Sequence, residues 1–183
     1  MTDNFVHLRV HSEYSLVDGL VRIKPLVSTV RDAGMPAVAL TEQCNLFSFV
    51  KFYRAAEAAG VKPLVGVDLG FPDEDNPETT FNTLLLCRSR EGYRQLSNLV
   101  SRAYTEGQVR GTPMARLRWL DEFETDQLIA LSGGAGGHLG KGLLSGSASE
   151  VERRVDFWRR RFENRFYIEL QRTGRAYEED YIE

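Results

Sequence analysis

Twice, at a spacing of 26 residues, this chain stops an apolar helical pattern with Ala-Gly, places a proline within three residues, and then enters an apolar run. The first instance is VRIKPLVSTVRDAG (21–34) followed by MPAVALTE (35–42); the second is LFSFVKFYRAAEAAG (46–60) followed by VKPLVGVDLGF (61–71). Glycine stops a helix because it enters the left-handed backbone region without steric cost, and proline cannot continue the helix. Helix, tight turn and buried strand in succession imply parallel strands joined by helical crossovers, which places the chain in the α/β class.

The same alternation extends both ways. FVHLRV (5–10) reads as a first strand, and NTLLLCR (82–88), QLIALS (127–132) and RFYIELQRT (165–173) as later ones. REGYRQLSNLVSRAYTEG (90–107) and SASEVERRVDFWRRRFE (147–163) read as helices, the second opened by a capping serine. PDEDNPETT (72–80) is a surface loop by composition, and RGTPMARLRWLDEF a less regular link. About six strands of this kind fit a βα barrel or an open α/β sheet. The sequence stops inside YEEDYIE, the start of another helix, so 1–183 is expected to be one domain cut from a longer chain.

At 42 % hydrophobic, 183 residues suffice for a real core. A net charge of −3 gives no general reason to expect a nucleic-acid coat. Cys44 and Cys87 form no pair or framework, as in a reducing compartment. No stretch approaches the ~20 apolar residues of a membrane span. Together these point to a soluble, cytoplasmic protein without a membrane partner.

In parallel α/β folds, chemistry gathers where the strands end. Those ends carry His11, Ser12 and Asp18; Glu42, Gln43 and Cys44; Asp68; and Gly133 to His138. In the first strand, His7, Arg9 and His11 alternate onto one face. Neutral imidazoles there would suit a metal, whereas the permanent cation of Arg9 does not. The glycine-rich GGAGGHLGKG fails as a phosphate loop: Gly142 follows Lys141 where Ser or Thr is needed, and Ala135 stands at the first glycine position. It reads as a flexible connection. RRVDFWRRRF places Val151, Val155, Trp158 and Phe162 on one helical face and most arginines elsewhere, which describes a solvated outer helix better than a nucleic-acid stripe.

FVHLRVHSEYSLVDG, GMPAVALTEQCNLFSFVKFYRAAEAAGVKPLVGVDL, EGYRQLSNLVSRAY, LIALSGG and YIELQRTGR together resemble the N-terminal PHP (polymerase and histidinol phosphatase) domain of bacterial DNA polymerase III alpha subunits of the replicative type. The resemblance runs in order over nearly the whole chain. It implies a PHP-type (β/α)7 barrel, incomplete here, with the polymerase regions downstream of residue 183. The parent would be a DNA-directed DNA polymerase, a nucleotidyltransferase using Mg at its own active site and meeting DNA there. This domain would dock the proofreading exonuclease (epsilon) subunit and brace the rest of the replicase.

Metal-binding members of the family hold their ions with a fixed set of ligands. Of seven such positions in this chain, His11 and Asp18 are unchanged and Asp68 keeps a carboxylate, while Arg9, Gln43, Asn82 and Gly134 replace donors. Glu42, just before Gln43, replaces an aspartate. The resemblance therefore implies a degenerate metal site, no cofactor and no catalysis in this segment. The rival reading is an active metal-dependent phosphoesterase, acting as a proofreader or pyrophosphatase.

Overall fold

A computed structural model describes residues 5–74, 76, 78–176 and 178–182. Asp75 and Pro77 of the acidic loop, and Tyr177 and Glu183 of the closing segment, lie outside the described residues. The chain forms two compact units, Met1–Asp68 and Leu69–Glu183.

In the first unit a 3-10 turn, Glu13–Asp18, precedes helix α1 (Ile23–Asp32), strand β1 (Ala37–Gln43), helix α2 (Phe49–Ala59) and strand β2 (Lys62–Pro72), which runs on into the second unit. β1 and β2 pair in parallel from Ala37↔Lys62 to Gln43↔Asp68. Gly34 at φ 70° and Gly60 at φ 72° make the left-handed stops that their sequence context requires. Ile23, Val27 and Val30 of α1 pack with Val38 and Leu40 of β1 and Phe52 and Ala56 of α2. The spacing of the α1 residues is that of one helical face.

The segment 5–10 is less regular than a strand. The amides of Ala39 and Thr41 donate to His7 O (2.8 Å) and Val10 O (2.9 Å), so three residues of the outer segment span two of β1. That mismatch is a bulge, and the Thr41 hydroxyl fills it by accepting from Val10 N at 3.0 Å.

In the second unit, β3 (Thr80–Cys87) is followed by α3 (Arg90–Glu106), the short β4 (Gln108–Val109) and β5 (Thr112–Pro113), and β6 (Leu128–Leu131). Next come α4 (His138–Ser145), α5 (Ala148–Phe162), β7 (Phe166–Tyr167) and α6 (Glu178–Ile182). β6 and β7 are parallel, but β3 and β6 are antiparallel, Cys87 lying opposite Leu128. The cause is the path between them. α3 returns the chain to the start of β3, where Gly70 lies beside both Asn82 and Met114 and its carbonyl accepts from Ala115 N at 2.9 Å. The segment 107–127 then crosses back, and Gln127 O accepts from Arg88 N at 3.0 Å. β6 therefore begins beside the end of β3.

Other expectations need correction here. The glycine-rich connection is a 3-10 turn, Gly134–Gly136, leading directly into α4. The strand expected over 165–173 is regular only at Phe166–Tyr167. Ser147 stands at the N-cap of α5 without a capping hydrogen bond. α5 buries Trp158 and Phe162 as its pattern requires, but it also buries Arg154. Arg154 donates to His138 O at 2.6 Å and to Asp73 Oδ2 at 3.0 Å, and pairs with Glu150. Those three acceptors are what allow a guanidinium inside.

Candidate functional site

The parallel register sets Gln43, at the carboxyl end of β1, beside Asp68 of β2. Asp68 points inward and is 2 % exposed at its side chain. Arg9, from the bulged segment, places its guanidinium against Asp68 Oδ2 and is 22 % exposed. His11, two residues on, brings Nε2 to 3.1 Å from that same oxygen. Its Nδ1 lies 3.0 Å from Asp18 Oδ2, on the 3-10 turn. His7 takes no part: it is exposed, its ring edge-on to Phe5.

Carboxylates only accept, so an imidazole bonded to one at each nitrogen must carry two N–H groups. Burial pulls the His11 pKa down, but the carboxylates of Asp68 and then Asp18 outweigh it, and the group ends above its ordinary 6.5. Cys44 closes the corner with its N–H donating to Asp68 O at 2.9 Å. Burial, aided by the Asp68 charge, pushes its thiol up to about 12, so near neutral pH it stays protonated.

Glu42 does not join the acids around Arg9. It precedes Gln43 on β1 and so faces the other way, into a buried nest of serines. Its carboxylate accepts from Ser12 N (3.0 Å), Ser15 Oγ (2.5 Å), Ser48 Oγ (2.8 Å) and the Ser12 hydroxyl. Gln43 is exposed, and its N–H donates to Ser15 Oγ at 2.9 Å. The sequence reading had named Ser12, but Ser15 and Ser48 escaped it; their signal was a second serine three residues after Ser12, beside a strand-end acid.

Asn82 and Gly134 belong to the second unit. Asn82 is half-buried on β3 and bridges Gly137 through the backbone. Gly134 has φ 62°, and a Cβ there would lie 2.9 Å from Gln171 Cδ. A side chain at 134 thus meets both backbone strain and an occupied space.

A divalent transition metal needs three or four convergent donors. Here the guanidinium of Arg9 holds the Asp68 oxygen that such an ion would use, and both nitrogens of His11 are engaged. Asp68 Oδ1, which is buried without a hydrogen-bond partner, is a compatible feature. Among the described residues no group of three or more His, Cys, Asp or Glu side chains is arranged to hold a metal ion. The donor set of the first unit does not fit one.

The chain is similar over nearly its full length to the DNA polymerase III subunit alpha of three bacteria. Identity is 44 % to that of Vibrio cholerae, with 97 % of this chain covered. It is 45 % to that of Pseudomonas aeruginosa, covering 100 %, and 42 % to that of Escherichia coli K12, covering 97 %. The chain spans 15 % of the length of each of these relatives. In fold it resembles a solved protein from Bifidobacterium adolescentis assigned as a metal-dependent phosphoesterase, with a TM-score of 0.59 at 13 % identity, covering 96 % of this chain and 80 % of that one. That likeness agrees with the α/β, PHP-type fold expected from the sequence. Among the described residues no helix is long and apolar enough to cross a membrane. The sequence profile of the PHP domain matches residues 7–173, and the chain belongs to the PHP domain family.

Proposed function

We propose that this chain serves as the PHP domain of a replicative DNA polymerase III alpha subunit, and that within it the domain is a non-catalytic structural and interaction module. The longer protein would synthesise DNA, with Mg and DNA bound at its own polymerase site. This segment would dock the proofreading exonuclease subunit. Its similarity to three alpha subunits supports the placement. The pairing of Arg9 with Asp68 supports the loss of catalysis, because a fixed cation on the central carboxylate repels a divalent ion instead of coordinating it. The rival, a metal-dependent phosphoesterase, requires bound metal and chelator-sensitive hydrolysis.

Two assays on the purified chain test this reading. Incubation with a model phosphodiester, with added zinc or manganese, is expected to give no hydrolysis above buffer. Mixing with the proofreading exonuclease subunit of the same organism is expected to give a one-to-one complex on size exclusion. Hydrolysis abolished by a chelator would replace this reading with the phosphoesterase.

A further inference from the structure

Helix α4 opens on a buried histidine. His138 is 5 % exposed, and its ring stacks on Phe81 of β3 with the centroids 4.2 Å apart. From α5, the indole N–H of Trp158 donates to His138 Nδ1 at 3.2 Å. An indole nitrogen only donates, so Nδ1 is the unprotonated nitrogen and the ring is the neutral tautomer with its proton on Nε2. A proton added at Nδ1 would set two N–H groups against each other and break the bond that ties α4 to α5 here.

The surroundings also oppose an imidazolium. His138 is the first residue of α4, where the unpaired N–H groups form the positive end of the helix dipole. Its carbonyl accepts from Arg154 Nη1 at 2.6 Å, so a guanidinium already sits at its backbone. Glu150 on α5 and Asp73 just beyond β2 are both paired with Arg154. On α4 itself, the Lys141 ammonium turns to Thr80 O. Burial adds the cost of placing a charge away from water. His11 is the opposite case, since both of its nitrogens face carboxylates.

We infer that the His138–Trp158 pair is an acid-sensitive latch in the second unit, which holds α4 against α5 while the imidazole is neutral and releases when the imidazole takes up a proton. In an unfolded chain a histidine gains its proton at about pH 6.5. The stability that the latch contributes is therefore complete above that pH and is lost as pH falls below it. Release has a signature of its own, because the Trp158 indole N–H loses its acceptor. The latch does not depend on the proposed function.

The test compares the purified chain with His138→Asn from about pH 7.5 down to about pH 5.5, a window that brackets the ordinary histidine range. The asparagine carboxamide can accept from the indole near the place of Nδ1, but it takes up no proton. The wild type is expected to melt higher at the upper pH, and the gap is expected to narrow by about 2 °C or more at the lower one. The other two histidines, His7 and His11, are common to both proteins and cancel in the gap. Nitrogen NMR of the wild-type imidazoles needs no variant, and it decides alone if His138→Asn does not fold. In the folded chain His138 is expected to keep an unprotonated Nδ1 across the whole window. A gap that stays constant or widens in acid would overturn the latch. So would a His138 ring that carries two protons at about pH 5.5 while the chain remains folded and the Trp158 indole resonance stays in place.

Discussion

The guanidinium of Arg9 lies against the buried carboxylate of Asp68, 59 residues further along the chain. A carboxylate at 2 % exposure is tolerable only with a partner, and Arg9 is the permanent one. Replacing Arg9 with alanine is expected to destabilise the protein by about 2–4 kcal/mol, because Asp68 is left inside with His11 alone. Urea unfolding of Arg9→Ala checks this. A midpoint within error of the wild type would mean that the pair contributes nothing.

His11 gives a dependence on pH. Its folded-state pKa is raised above 6.5, so protonation favours the folded form. The stability it contributes is fully present below about pH 6.5 and is lost as pH rises through the folded-state pKa. The gap in melting temperature between wild type and His11→Gln is therefore expected to be widest in mild acid and to narrow toward alkaline pH. A gap that widens with pH would show that His11 is held neutral.

Glu42 and Gln43 are neighbours with opposite expectations. Glu42→Ala leaves the Ser12 amide and three buried hydroxyls without their acceptor, and is expected to cost at least about 3 kcal/mol. Gln43→Ala removes an exposed side chain and is expected to stay within about 0.5 kcal/mol of the wild type. Denaturant melts of the two variants side by side give the comparison.

Single donor substitutions are not expected to create a metal site. In Arg9→His the His11 nitrogens still face Asp18 and Asp68, and Gln43 supplies no imidazole. Gly134→Cys is expected to destabilise the fold by about 1–3 kcal/mol, since a non-glycine residue would be held at φ 62° against Gln171. Isothermal titration of each variant with zinc is expected to show no stoichiometric binding.

Much of this was legible in the sequence, for local reasons. Gly34 and Gly60 announce helix ends that any αβ alternation needs, and the apolar runs 37–43 and 62–72 leave little choice but buried strands. Asp68 at a strand end, and Arg9 and His11 on one face, were legible too, but His7, expected on that face, lies exposed because the segment 5–10 is bulged. What escaped depends on distant partners. The burial of Arg154 is decided by Asp73, 81 residues away, so its own helix pattern says nothing of it. The direction of β6 follows from the return path over 107–127, and the bulge at 7–10 from the Thr41 side chain. Glu42 looked like one more acid at the mouth because its serines lie on two other segments.

The account turns on whether this site carries a fixed guanidinium and a proton instead of a metal ion. The metal content of the purified chain, measured by inductively coupled plasma mass spectrometry after growth in zinc- and manganese-supplemented medium, tests that most directly. Substoichiometric traces that do not change the melting temperature when a chelator is added are the predicted result. One or more tightly held zinc or manganese ions per chain, with a melting temperature that falls when they are stripped, would contradict it.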